Sequence, residues 1–279
     1  VVAYSDLGAA AGSGVIMSAD GYIITNYHII EGCSEAWVTP LVGSRDYEAQ
    51  LVGYAADLDI AVLKVDAQDL TPARFSSSRS LSVGDSVYAL GNPLGYLYGS
   101  FTEGIVSALG RNINVGGYDM TLIQTSAALN SGNSGGALLN AAGEVVGITS
   151  AKVASDTDVV AEGLGLAIPI SDVRGCINSI LACGEVITPR IGIMAYSVVA
   201  DGISGVMVKS VETDGPAQAA DVRPGDLITQ ANGIPVASVE ELKDVFYDTG
   251  VGGIVELTVL RNGEELRLSM ELTADETVE

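Results

Sequence analysis

Gly132-Asn133-Ser134-Gly135-Gly136, followed by the apolar Ala137-Leu138, is the stretch from which the fold of this 279-residue chain is read. A serine set between glycines can turn backbone N–H groups toward whatever its oxygen attacks, because glycine meets little steric opposition. A tetrahedral acyl intermediate needs donors aimed at its negative oxygen, and the Gly132 and Ser134 N–H groups would supply two, an oxyanion hole. Taken alone, the pentapeptide also fits the G-x-S-x-G elbow of the α/β-hydrolases, or no more than a tight turn. Chain order separates the first two. The single histidine, His28, lies in Thr25-Asn26-Tyr27-His28, far upstream of the serine. An α/β-hydrolase needs its histidine after the nucleophile, so that fold is excluded.

The order left is His, Asp, Ser, as in the chymotrypsin-like proteases. Asp57-Leu58-Asp59-Ile60-Ala61-Val62-Leu63 offers two carboxylates at the entrance to an apolar strand. Asp57 and Asp59 fall on one face of that strand, but Asp59 directly precedes the apolar run and is the more enclosed. It is the residue expected to hold the imidazole Nδ1–H.

Over residues 1–170, short apolar runs alternate with Gly, Asn, Asp and Pro, an all-β pattern. Val15 to Ile24 and Ala137 to Val146 read as two similar hairpins, each turning at a glycine, and suggest duplicated barrels with chemistry at the cleft between them. From Ser171 to Cys183 the pattern becomes helical, with Val173, Ile177, Ile180 and Leu181 on one face, Ser171 as cap and Gly184 as stop. This helix is expected to close the first domain. Thr188-Pro189 marks a linker, and the remainder alternates strands with a helix opened by the capping box Ser238-Val239-Glu240-Glu241.

At 48% hydrophobic residues the chain can build two modest cores. Its net charge of −22 is spread evenly: 7 Lys+Arg against 18 Asp+Glu in residues 1–183, and 6 against 17 in residues 184–279. That argues against nucleic acid and anionic membrane surfaces as partners. The longest uncharged stretch, Met120 to Gly143, is broken by Gln, Thr, Ser, Asn and Gly and does not read as a bilayer helix. One histidine and scattered carboxylates give no metal-ligand cluster, and no cofactor is implied. Three cysteines make no disulfide framework. Cys176 and Cys183 on one helix would be roughly 10 Å apart, too far for a bridge; Cys33 could pair with one of them, but buried free thiols are the favoured reading.

Taken together, these segments resemble the HtrA (Deg) family of serine proteases with one PDZ domain. The motifs run in order from Gly12-Ser13-Gly14-Val15-Ile16 and Asp20-Gly21-Tyr22-Ile23-Ile24-Thr25-Asn26-Tyr27-His28 to Asp59-Ile60-Ala61-Val62-Leu63-Lys64 and Gly91-Asn92-Pro93. Gln124-Thr125, Asn130-Ser131-Gly132-Asn133-Ser134-Gly135-Gly136-Ala137-Leu138 and Gly165-Leu166-Ala167-Ile168-Pro169 follow. In the second part, Gly205-Val206-Met207-Val208, Gly215-Pro216-Ala217, Leu227 to Gly233 and Val255 to Val259 match the PDZ pattern.

The resemblance implies a mostly β fold: a chymotrypsin-like double β-barrel over residues 1–183, a linker over 184–189 and an α+β PDZ domain over 190–279. It implies His28 as general base, Asp59 as its orienting carboxylate, Ser134 as nucleophile, and the Gly132 and Ser134 N–H groups as oxyanion hole. The residue six before the nucleophile is Ala128, so no acid sits at the pocket base. Leu129, Leu164 and Leu166 would line a site for small or medium aliphatic side chains. Arg190-Ile191-Gly192-Ile193 would be the loop and strand that capture a C-terminal peptide, with Leu242, Val245 and Phe246 as the other wall or as ordinary core. Implied partners are unfolded polypeptides, C-terminal peptides and two further copies in a homotrimer. Loops Leu109–Met120, Ala128–Asn133 and Val153–Gly163 would switch between ordered and disordered states. The implied location is extracytoplasmic, with a signal or anchor lying outside Val1-Val2-Ala3-Tyr4. Two residues depart from the family pattern: Ser126 stands where Asp is common, which would loosen the loop before Ser134, and Arg190 adds a cation to the carboxylate loop.

Overall fold

The computed structural model describes residues 1–6, 8–43, 45–92, 99–115, 117–151, 164–200 and 203–274. They form two units, one of residues 1–173 and 183–185, the other of residues 174–182 and 186–279.

The first unit opens with a seven-stranded antiparallel sheet in the order β2-β1-β5-β6-β7-β4-β3. Its strands are β1 (Val2–Ser5), β2 (Gly8–Ala11), β3 (Val15–Ile16), β4 (Tyr22–Thr25), β5 (Glu35–Val38), β6 (Tyr47–Ala55) and β7 (Ile60–Val65). The hairpin read from Val15 to Ile24 is β3–β4, turning at Gly21, whose φ of +105° suits glycine. A side chain there would also meet the Val65 carbonyl at 2.4 Å. β7 is buried along nearly its whole length because it lies inside the sheet between β4 and β6, which explains its unbroken apolar run.

The second half closes into a barrel, β10-β13-β12-β11-β8-β9. It comprises β8 (Ser86–Gly91), β9 (Ser100–Val115), β10 (Tyr118–Thr125), β11 (Ala137–Leu139), β12 (Val145–Ser150) and β13 (Gly165–Pro169). Val87, Val106, Ile123, Leu138, Val146 and Ala167 fill it. The expected hairpin from Ala137 is β11–β12. Leu109–Met120, expected as a switching loop, is instead the far end of the long β9–β10 hairpin, where Arg111 pairs with Leu122 and Val115 with Tyr118. The resemblance implies a loop here, but the strand continues through polar residues.

The helix runs from Ile170 to Cys183. Ser171 is not its cap but lies within the first turn, where its Oγ accepts from the Ser78 N–H at 3.0 Å. Residues 174–182 group with the second unit rather than closing the first. Gly175 explains this, since a Cβ there would come within 2.1 Å of the Tyr247 ring, so only glycine admits the contact.

The second unit contains a sheet in the order β15-β16-β17-β19-β20 with β18 on β17, and a small pair β14–β21. The strands are β14 (Pro189–Arg190), β15 (Ile193–Ala200), β16 (Ile203–Val211), β17 (Leu227–Ala231), β18 (Ile234–Pro235), β19 (Ile254–Arg261), β20 (Glu264–Glu271) and β21 (Thr273–Ala274). The helix Val239–Thr249 is capped as its sequence requires, Ser238 Oγ accepting from the Glu241 N–H at 3.1 Å. The return bond of the box goes one residue further back, from the Ala237 N–H to Glu241 Oε2 at 2.6 Å. Gly250, at φ +78°, ends the helix.

Candidate active site

Strand register brings the first two residues together. Thr25, the last residue of β4, pairs with Ala61 near the start of β7, so the chain leaving β4 and the chain entering β7 meet at one end of the sheet. His28 sits in the single turn Tyr27–Ile30, anchored by buried Ile29 and Ile30. Asp59 has a φ of +51°, a left-handed conformation that aspartate tolerates better than most residues. Its carbonyl is fixed by the Asn26 side-chain amide at 2.9 Å and the Tyr27 N–H at 3.2 Å. The carboxylate, in a residue only 6% exposed, faces His28. Oδ2 lies 2.8 Å and Oδ1 3.0 Å from Nδ1, and Oδ1 also accepts the His28 N–H at 3.0 Å. A carboxylate only accepts, so the Nδ1 position carries the proton and Nε2 is left with its basic lone pair.

Ser134, 4% exposed, sits on a turn where Gly132 and Gly135 have φ of +97° and +81°. A Cβ at Gly135 would meet the Ser13 carbonyl and Thr25 Oγ1, each at 2.4 Å, so the Ser134 turn is pressed against the segment that leads to His28. Ser13 holds that contact: its N–H donates to the Ser134 carbonyl at 2.7 Å and its Oγ to the Gly132 carbonyl at 2.7 Å. Ser13 Oγ also accepts from the Asn92 N–H at 2.9 Å. On the other side Thr149 Oγ1 donates to the Asn133 carbonyl at 2.6 Å, and its main chain pairs with Gly135 and Gly136. With the Gly132 carbonyl turned back to Ser13, the Gly132 and Ser134 N–H groups have no hydrogen-bond partner among the described residues. Ser134 Oγ accepts from the Ala151 N–H at 2.9 Å, and no bond joins it to His28 among the described residues.

Sequence reasoning missed Ser13, Thr149 and Ala151. A glycine-flanked serine at Gly12-Ser13-Gly14 was the available signal for the first; the others act through main chain or a single hydroxyl and leave none.

The remaining expected site residues are placed unevenly. Ala128 is exposed, Leu129 half-buried against the barrel core, Leu164 exposed at its margin, and Leu166 buried. Ser126 does not loosen its loop: its Oγ accepts from the Ile105 N–H at 3.0 Å and its N–H donates to the Ile105 carbonyl at 3.1 Å, bracing it to β9. Residues 153–163 of the third expected loop lie outside the described residues. In the second unit, Ile191, Leu242, Val245 and Phe246 are buried members of one core, because the helix turns its apolar stripe inward against the sheet. Half-buried Ile193, Ala195 and Val239 at the margin of that core are what remains beside the edge strand β15. Burial pushes the Cys33 thiol above its ordinary value, keeping it protonated and unsuited to nucleophilic attack.

A trypsin-like peptidase domain matches residues 12–148 and a PDZ domain residues 189–272. The chain is 37% identical over 94% of its length to the serine protease Do-like HtrA of Lactobacillus helveticus, spanning 68% of that protein. It belongs to the HtrA/Deg family of serine proteases, and it is a serine endopeptidase with one matched PDZ domain. The serine endoprotease DegS of Haemophilus influenzae is 38% identical over 92% of this chain and 75% of its own length. Periplasmic DegP of Escherichia coli is 37% identical, with 57% of its length spanned. Among solved structures, the HtrA-type protease AlgW with a tripeptide aligns at a TM-score of 0.67 and 33% identity, covering 99% of this chain and 93% of that one.

Proposed function

We propose that this chain is an ATP-independent endopeptidase of unfolded or misfolded polypeptides, acting outside the cytoplasm and recruiting or sensing C-terminal peptides through its second domain. The observation that carries the reading is the His28–Asp59 pair together with a buried serine whose glycine turn packs against the Thr25–Asn26 segment leading to His28. In this reading Nε2 of His28 takes the Ser134 proton as Oγ attacks the substrate carbonyl, and the Gly132 and Ser134 N–H groups receive the oxyanion. His28 then protonates the leaving amine, and water releases the acyl group by the same steps in reverse. Asp59 orients the ring and stabilises the imidazolium. Exposed, uncharged Ala128 and half-buried Leu129 support cleavage after Val, Ala, Leu or Ile.

The Ser134 Oγ bond to Ala151 favours a second aspect of this reading: a resting state in which the hydroxyl has yet to meet His28. Casein hydrolysis by the full chain and its Ser134→Ala variant, with and without an apolar C-terminal peptide, tests both. The expected result is hydrolysis that the peptide accelerates and the variant abolishes, with product ends mapped to aliphatic residues. Equal hydrolysis by the variant, or dominant cutting after Arg and Lys, contradicts it. Sedimentation of the same samples reads the homotrimer the family implies.

A further inference from the structure

Gly192, with φ of +76°, sets the turn by which Arg190-Ile191-Gly192-Ile193 enters the edge strand β15. Glu212 closes this turn, its N–H donating to the Gly192 carbonyl at 2.8 Å while Ile193 pairs with Val211. In that register the Ile193 N–H is directed to the open edge rather than to β16. The Gly192 N–H has no partner among the described residues. Successive N–H groups at a left-handed glycine form a concave anion site. The Ala217 N–H, bonded to the Ile191 carbonyl at 2.9 Å, keeps the turn in place.

An anion already lies against it. Glu212 Oε2 is 3.2 Å from Arg190 Nη1, and a Cβ added at Gly192 would come within 2.8 Å of the same oxygen. The Glu212 side chain is 49% exposed, so it can swing into water without disturbing the core.

We propose that Glu212 is an internal competitor for the C-terminal carboxylate of a peptide ligand, covering the Arg190–Gly192 anion site until the ligand displaces it. This rests on the reading of the second domain as a receptor for C-terminal peptides. An arriving peptide adds as a strand to β15, and its carboxylate takes the Gly192 and Ile193 N–H groups together with Arg190. Glu212 then gives up a half-exposed ion pair, a modest loss in water, and leaves because two carboxylates at one guanidinium repel. A peptide amide brings no charge to exchange for it.

The test measures fluorescence polarisation of a fluorescein-labelled decapeptide ending in three valines, as free acid and as amide. The full chain in a Ser134→Ala background is compared with added Glu212→Gln, with Glu212→Gln plus Arg190→Gln, and with Glu264→Gln as a remote charge control. Glu212→Gln is expected to tighten the acid about fivefold, the scale of one exposed ion pair, and to leave the amide unchanged. Adding Arg190→Gln should remove about tenfold from acid binding, as a charge-assisted bond is lost, and Glu264→Gln should move neither peptide. Equal acid binding by parent and Glu212→Gln, or equal tightening of acid and amide, overturns the proposal while leaving the receptor reading intact. Binding of neither peptide to any variant overturns the receptor reading, and the proposal with it.

Discussion

Asp59 in the first unit and Asp226 in the second are both buried carboxylates, yet one is met by an imidazole and the other by a guanidinium. Asp226, 1% exposed, receives Arg261 Nε on Oδ1 at 2.7 Å and Nη2 on Oδ2 at 2.8 Å, and Oδ2 also accepts the Arg223 N–H at 2.9 Å. Burial alone would raise its pKa, but the Arg261 fork, the Arg223 N–H and the charge of both arginines outweigh it and hold the carboxyl below the usual range. Arg261 is raised in turn, chiefly by the same bonds. That pair is compensated at every working pH and serves to tie β19 to the turn before β17. In the mechanism proposed above, Asp59 faces a neutral imidazole, and its field would be available for the positive charge that forms on the ring during reaction. A guanidinium would cancel that field permanently; the imidazole leaves it poised.

Exchanging each acid for its amide separates the two roles. Asp59→Asn should lower casein hydrolysis by a factor on the order of 10⁴, through loss of ring orientation and charge stabilisation, with little change in the first unit's thermal unfolding. Asp226→Asn should do the reverse. Half-buried Arg261 keeps Asp221 as its remaining acid, so loss of the charged fork on Asp226 should cost the second unit about 2 kcal/mol, read from its denaturant midpoint, while the rate of active-site labelling stays that of the parent.

Ser13→Ala probes the first unit alone. It strands the Gly132 carbonyl and the Asn92 N–H, which should cost about 2 kcal/mol; hydrolysis should fall more than this stability loss explains, because the Ser134 turn loses its anchor. The smallest effect is in pH. The folded pKa of Asp226 lies below its unfolded value, so its contribution is complete above about pH 4 and is lost as pH falls through the folded pKa. The second unit's melting temperature should therefore drop more steeply below that pH in the parent than in Asp226→Asn.

The candidate triad could be named from sequence because the chemistry demands particular side chains in a particular chain order, and one histidine among 279 residues left a single candidate base, which the structure pairs with Asp59. The β3–β4 and β11–β12 hairpins were legible from their glycine turns. What escaped reading depends on partners distant in sequence. Ser171 looks like a cap until Ser78 claims its hydroxyl, and the helix Ile170–Cys183 looks like the closing element of the first domain until Tyr247 is found over Gly175. Leu242, Val245 and Phe246 form a stripe that serves groove or core equally well by periodicity, and only the sheet beneath decides for core. Ser126 reads as a weakness in isolation and as a brace once β9 lies beside it.

Whether Ser134 is a nucleophile activated by the His28–Asp59 pair is tested most directly by fluorophosphonate labelling of the parent, His28→Ala and Asp59→Asn chains in the presence of the apolar C-terminal peptide, with the modified peptide mapped by mass spectrometry. The expected result is one label per chain on Ser134 in the parent, with the rate collapsing in both variants while their folds persist. Labelling of His28→Ala at the parental rate, or a label mapped to any other residue, would contradict it.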